Sequence, residues 1–257
     1  MDFKFCGIPI ASDPMTWTHD TVFPFSAAMT SGKTATHDVY AGGEGPPILI
    51  LQELPGIGPE TLDVAKRLNG AGFRVYLPHM FGTYGKVTMG RNMARLFCVR
   101  REFNMFLKGR QSPIAGWMRS LAAEIKSRDN AAGVGVIGMC LTGSFALTLM
   151  AEDAVVGGVA SQPALPIFGG DELHMSPDDI AQARGGMAAK GPGLAMRYAD
   201  DKLAPKRLMC ALQDAFGDDL ETQEYEGKDH SLLTLDFHEP AYQRVQDYFH
   251  ARFAQAG

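Results

Sequence analysis

Four polar side chains fall just behind expected strands. Glu53 follows Ile48-Leu-Ile-Leu51, Cys140 follows Val134-Gly-Val-Ile137, Asp201 and its neighbour Asp200 follow Leu194-Ala-Met-Arg-Tyr198, and His230 lies in Glu226-Gly-Lys-Asp-His-Ser231. Thiol, imidazole and carboxylate are the three groups that acyl transfer needs. The sulfur attacks an ester or lactone carbonyl, the imidazole exchanges a proton with the sulfur and with the leaving alcohol, and the carboxylate fixes the imidazole tautomer. In open sheets of parallel strands ligands bind beyond the carboxyl ends of the strands, so residues in that position share one rim.

Bringing them to one rim takes strands that run the same way with helices between them. Strands are expected at Pro47 to Gln52, Phe73 to Leu77, Val134 to Met139, Val155 to Ser161, Leu194 to Tyr198 and Glu221 to Tyr225. Helical spacing is read at Pro59 to Leu68, Arg91 to Leu107, Pro113 to Arg128, Leu141 to Met150, Pro177 to Lys190, Lys206 to Ala215 and Glu239 to Phe253. Strand runs that are apolar throughout and alternate with helices mean an α/β fold with a mostly parallel central sheet covered on both faces. Gly42 to Pro47 reads as a turn between an N-terminal hairpin within residues 1–46 and the main sheet; no strand-then-helix context and no Gly-Lys-Ser/Thr make it a phosphate loop. With 257 residues, one domain is expected over 1–257, with a core at 47–257.

Gly138-Met-Cys-Leu-Thr142 resembles the nucleophile elbow of α/β-hydrolases, Gly-x-nucleophile-x-Gly, in which a sharp strand-to-helix turn exposes the central side chain. The helix behind it aims backbone N–H groups and a positive dipole end at that spot, surroundings that suit a thiolate. A strict elbow would have glycine where Thr142 stands, with Gly143 one place later. The elbow also orders its partners as nucleophile, acid, histidine, and Cys140, Asp201 and His230 keep that order.

Together with Leu51-Gln-Glu-Leu-Pro-Gly56, Asp201-Lys-Leu-Ala-Pro205 and Gly227-Lys-Asp-His-Ser231, this segment resembles the dienelactone hydrolases, cysteine-dependent members of the α/β-hydrolase superfamily, over about residues 47–255. The resemblance implies the α/β-hydrolase fold, Cys140 as nucleophile, His230 as general base and acid, Asp201 as orienting carboxylate, and Glu53 helping to convert the thiol to thiolate when substrate arrives. It also implies an oxyanion hole from the backbone N–H groups of Leu54 and Leu141, no cofactor and no metal. Members that cleave dienelactone hold its carboxylate with arginines, one shortly after the catalytic histidine. Here that stretch reads Ser231-Leu-Leu-Thr-Leu-Asp236, leaving Arg100 or Arg101 as the candidate anion contact from the other side.

Composition bounds the alternatives. Lys+Arg 24 against Asp+Glu 29 leaves a net charge of -5, with no basic run interleaved with aromatics, so nucleic acid is not an expected partner. The four cysteines form no C-x-x-C pair or zinc-spaced cluster, which points to reduced thiols and a cytoplasmic location, and the N-terminus lacks the apolar core of a secretory signal. Ala131 to Ala151 carries no charge and has the length of a membrane span, but Gly133, Gly135, Gly138 and Gly143 break it into strand, turn and helix. Cys6, Cys98 and Cys210 lack the elbow and are expected to be structural. Asp214 competes with Asp201 only if Arg207 to Leu212 is a strand, and Ser144 and Ser161 sit in no elbow. A different class, a fold member that binds a small hydrophobic ligand or senses oxidants through Cys140, has the same sequence signature.

Overall fold

β3 (Pro47–Leu51), β5 (Val134–Met139), β6 (Val155–Ser161) and β7 (Gly193–Tyr198) are buried at every position. A strand turns successive side chains to opposite faces, so burial throughout requires cover on both. The structure is a computed structural model that describes residues 17–86, 112–164, 173 and 175–257. With β1 (Thr21–Ala28), β2 (Thr34–Gly42), β4 (Arg74–Pro78) and β8 (Leu220–Tyr225) the strands form one eight-stranded sheet in the order β1-β2-β4-β3-β5-β6-β7-β8. The pairs β1–β2 and β2–β4 are antiparallel and the rest of the sheet is parallel. The order doubles back at β3, which lies beside both β4 and β5. The N-terminal hairpin extends the main sheet through β2.

The helices are α1 (Pro59–Gly70), α2 (Ile114–Arg128), α3 (Gly143–Thr148), α4 (Pro177–Lys190), α5 (Lys206–Phe216) and α6 (Glu239–Ala256). Leu49 and Leu51 of β3 pack into a layer with Trp117 and Leu121 of α2, Phe145 and Leu147 of α3, Met187 of α4 and Leu212 of α5. Ile48 and Ile50 face the other way, into a layer with Leu68 of α1 and Val245 and Phe249 of α6. α6 approaches so closely that a Cβ on Gly135 would lie 2.6 Å from the Phe249 ring. Backbone groups on that side are also tied: Tyr248 donates its hydroxyl to the Pro192 carbonyl (2.9 Å) and accepts from the Gly158 N–H (3.1 Å).

The expected strands are found with end shifts of at most one residue, and the expected helix over Pro177 to Lys190 has the same bounds. Ser176 caps that helix, accepting from the Asp179 N–H (3.1 Å), while Asp179 also pairs with Arg119 (3.1 Å). Two expectations change. Leu141 to Met150 is not one α-helix: Cys140–Thr142 forms a 3-10 turn, α3 covers six residues and Leu149–Ala151 is 3-10 again. Cys210 is exposed on α5 and packs in no core. The helix expected over Arg91 to Leu107, Arg100, Arg101, Cys6 and Cys98 lie outside the described residues. No helix among the described residues is long and apolar enough to cross a membrane.

Candidate active site

Cys140 has φ +52°, in the left-handed region that residues bearing a Cβ rarely enter, at the joint between β5 and the 3-10 turn. The chain can turn that sharply because residue 138 has no side chain; a Cβ there would meet the Thr142 carbonyl oxygen at 2.2 Å. Thr142 is fully buried. Its hydroxyl accepts from the Met139 N–H (3.0 Å) and lies 2.9 Å from the carbonyls of both Met139 and Leu51, to which it can donate. The close helix-strand contact that an elbow glycine normally allows is made one place later. A Cβ on Gly143 would lie 2.8 Å from the Cα of Pro163.

His230 reaches the same rim from the loop after β8. Its Nδ1 lies 2.7 Å from Asp201 Oδ2. The other Asp201 oxygen accepts from the N–H groups of Leu203 (2.8 Å) and Ala204 (3.1 Å). Burial works against the Asp201 anion, but the His230 and backbone hydrogen bonds outweigh it and hold the carboxyl below its ordinary range. Burial likewise works against a charged His230, yet the bond to Asp201 and the Cys140 sulfur push its pKa up to about 10. The buried Nε2 has no hydrogen-bond partner among the described residues, and the Cys140 sulfur acts on the imidazole charge from nearby. Imidazole and carboxylate are bonded to one another, with the thiol near the imidazole.

Glu53 lies at the end of β3 and is 5% exposed. Thr234 donates a hydrogen bond to one of its oxygens, and Gln162 (3.2 Å) and Ser231 (3.4 Å) donate to the other. Burial nonetheless pushes the Glu53 carboxyl above its ordinary pKa, against these bonds and the nearby His230 charge. No hydrogen bond joins Glu53 to Cys140 among the described residues. The loop carrying Glu53 and Leu54 is fixed by Gln52, whose side chain donates to the Phe81 carbonyl (2.7 Å) and accepts from the Met80 N–H (3.0 Å).

The structure thus brings Cys140, His230 and Asp201 together and sets Glu53 beside them, within reach of the His230 charge. Asp214 lies on helix α5, so the reading that would have made it the acid fails. His238 caps α6, accepting from the Ala241 N–H (3.3 Å). Sequence reasoning missed Asp236, which accepts from the N–H groups of both His230 (3.1 Å) and Ser231 (2.9 Å). It also missed Gln162, with φ +35° at the end of β6, and Thr234. The available signals were a carboxylate six residues beyond the histidine and a buried amide directly after an apolar strand.

A mostly parallel eight-stranded sheet with helices on both faces and a thiol at a strand-to-helix elbow defines the α/β-hydrolase class. The model of the dienelactone hydrolase family matches residues 34–247. The chain belongs to that family, and it is a hydrolase. Among solved structures, one from Klebsiella pneumoniae subsp. pneumoniae MGH 78578, carrying the dienelactone hydrolase name, is 16% identical with a TM-score of 0.61, over 92% of this chain and 100% of that one. A promiscuous dienelactone hydrolase-like phosphotriesterase from metagenomic libraries is 17% identical with a TM-score of 0.58, over 91% and 98%. An esterase from Pyrococcus furiosus is 12% identical with a TM-score of 0.60, over 91% and 92%. At such identities the likeness is one of fold. No curated protein matches the chain.

Proposed function

We propose that the protein hydrolyses a small carboxylic ester or lactone through an acyl-thioester on Cys140. The observation that carries this reading is that Asp201 binds His230 Nδ1 and leaves the buried Nε2 free, while Cys140, at the elbow with φ +52°, lies close enough to raise the imidazole pKa. The sulfur, its proton passed to His230, attacks the carbonyl carbon and forms a C–S bond while the carbonyl π pair moves onto oxygen. The N–H groups of Leu54 and Leu141 are the donors for that oxyanion; Leu141 lies in the first turn of a helical segment, where an N–H has no partner behind it. Collapse breaks the C–O bond, and the leaving alkoxide takes the proton from His230. Water then gives its proton to His230 and attacks the thioester, the C–S bond breaks as the sulfur takes that proton back from His230, and the acid departs. From a lactone the product is one hydroxy acid.

Asp201 holds the Nδ1 proton so that Nε2 faces the sulfur, and stabilises the imidazolium that forms. Glu53 assists conversion of the thiol to thiolate when substrate arrives, its carboxylate favouring the imidazolium that holds the sulfur's proton. Arg100 or Arg101 would contact an anionic substrate group. The protein acts free in the cytoplasm, without metal or cofactor.

The test is steady-state turnover of a simple aryl ester and of a lactone series, with alkylation of Cys140 in the presence and absence of substrate. Folded Cys140→Ala is expected to lose turnover, and substrate is expected to protect the thiol. Hydrolysis retained by that variant would sink the proposal. Single-event thiol oxidation without turnover would instead favour an oxidant sensor.

A further inference from the structure

Arg197 is the one charged residue of β7 and is 1% exposed, yet the reaction outlined above gives it no task. Its Nη2 donates to the Ala199 carbonyl (2.7 Å), and its Nη1 donates to the Ala204 carbonyl (2.9 Å) and, at a longer 3.5 Å, to that of Asp201. Its Nε donates to Glu224 on β8 (2.8 Å), and Nη2 lies 2.7 Å from the same oxygen. The three carbonyls belong to the loop between β7 and α5, which carries Asp201. From that same loop the N–H groups of Leu203 and Ala204 point at Asp201 Oδ1.

The loop is thus held twice, by a cation collecting its carbonyls and by a carboxylate collecting its amides. We propose that Arg197 is a positioning residue for the reaction: by fixing residues 199–204 it sets the Asp201 carboxylate at its bond to His230, and Glu224 anchors the guanidinium. The inference rests on Cys140, His230 and Asp201 acting as one set. Only a planar guanidinium offers donors in enough directions for two short carbonyl bonds and a carboxylate at once; an ammonium is a single point. An apolar side chain would fill a buried strand position without desolvating a charge, so a buried arginine indicates a need for its donors.

The experiment compares Arg197→Met and Arg197→Lys with the wild type, Asp201→Asn and Cys140→Ala. It reads kcat and KM on an aryl ester, and the His230 titration by histidine NMR in the absence of substrate. Misplacing a catalytic group by about 1 Å costs about 10²-fold, so Arg197→Met should lose about that much in kcat with KM within about twofold. Its His230 titration should move down toward that of Asp201→Asn. Arg197→Lys, which keeps the charge but not the fork, should lose about tenfold in kcat and shift His230 part of the way. A folded Arg197→Met with wild-type kcat and titration, whatever its stability, overturns the proposal. If that variant does not fold, an unshifted His230 in Arg197→Lys overturns it instead. Turnover by Cys140→Ala would defeat the reaction but not this inference, which the titration reads without turnover.

Discussion

The Thr142 hydroxyl lies 2.9 Å from the Leu51 carbonyl and ties the turn that carries Cys140 to the end of β3, two residues before Glu53. Thr142→Val keeps the shape, removes the hydroxyl and leaves the buried Met139 N–H without its acceptor. A buried polar group left unpaired costs about 1–3 kcal/mol. Urea unfolding should show a loss in that range, with a fall in kcat as the elbow loosens. A variant as stable as the wild type would mean that another group takes over the hydroxyl's bonds.

Gly138→Ala should be the more severe change at the same turn. The added Cβ would meet the Thr142 carbonyl oxygen at 2.2 Å, and that atom belongs to the backbone and cannot swing away. Overpacking of this kind costs about 1–3 kcal/mol or more. Thermal unfolding should report at least that loss, together with lost turnover in whatever folds.

His230 links the site to pH. Its folded pKa, about 10, lies above the ordinary imidazole value of 6.5. The stability it contributes is therefore fully present below about pH 6.5 and lost as pH rises through about 10. In Asp201→Asn the bond that raises this pKa is gone, so stability should fall less between pH 7 and pH 10.5 than it does in the wild type. Denaturant titrations of both proteins at the two pH values make the comparison. The same substitution should lower kcat by about 10⁴-fold, since the imidazole is then held in the wrong tautomer.

Glu53 shifts stability with pH in the same direction, but through its neutral form. Burial raises its pKa, so a stabilising contribution present at low pH is lost as pH rises through its folded value, and the ionised group weighs against the fold at neutral pH. Glu53→Gln should leave the protein as stable as the wild type or raise its melting temperature by about 2–4 °C per kcal/mol recovered. Turnover should fall with it, together with the rate of Cys140 alkylation in the presence of substrate analogue. A variant less stable but fully active would reverse the assignment and make Glu53 structural.

Asp236→Ala removes the acceptor for the His230 and Ser231 N–H groups. Hydrogen bonds to a charged group are worth about 1.5–3 kcal/mol, so a stability loss of that order is expected. The His230 ring then loses its fixed approach to Cys140. kcat should drop with little change in KM, and histidine NMR should show an altered His230 signal.

The order of strands and helices was legible in the sequence because it is written locally. Pro47 to Leu51, Val134 to Met139 and Val155 to Ser161 are apolar without alternation, and Pro177 to Lys190 opens on a capping serine. Glu53, Cys140 and Asp201 were legible for the same reason, each shortly behind such a strand, whereas His230 follows the mostly exposed Leu220–Tyr225 strand. Even within this local reading, the interruption of the helix after Cys140 was missed, since its apolar letters suit α and 3-10 turns alike. What joins those residues is not local. Thr142 meets Leu51 across 91 positions and Thr234 meets Glu53 across 181, so no spacing rule links them. Only the folded sheet, by setting the ends of β3 and β5 side by side, decided that a threonine would brace the elbow. The same packing set Glu53 among neutral donors and placed an aspartate of the final loop where it holds the histidine backbone. Periodicity chooses which face a residue occupies; the bonds it makes there depend on which strand end the topology sets beside it.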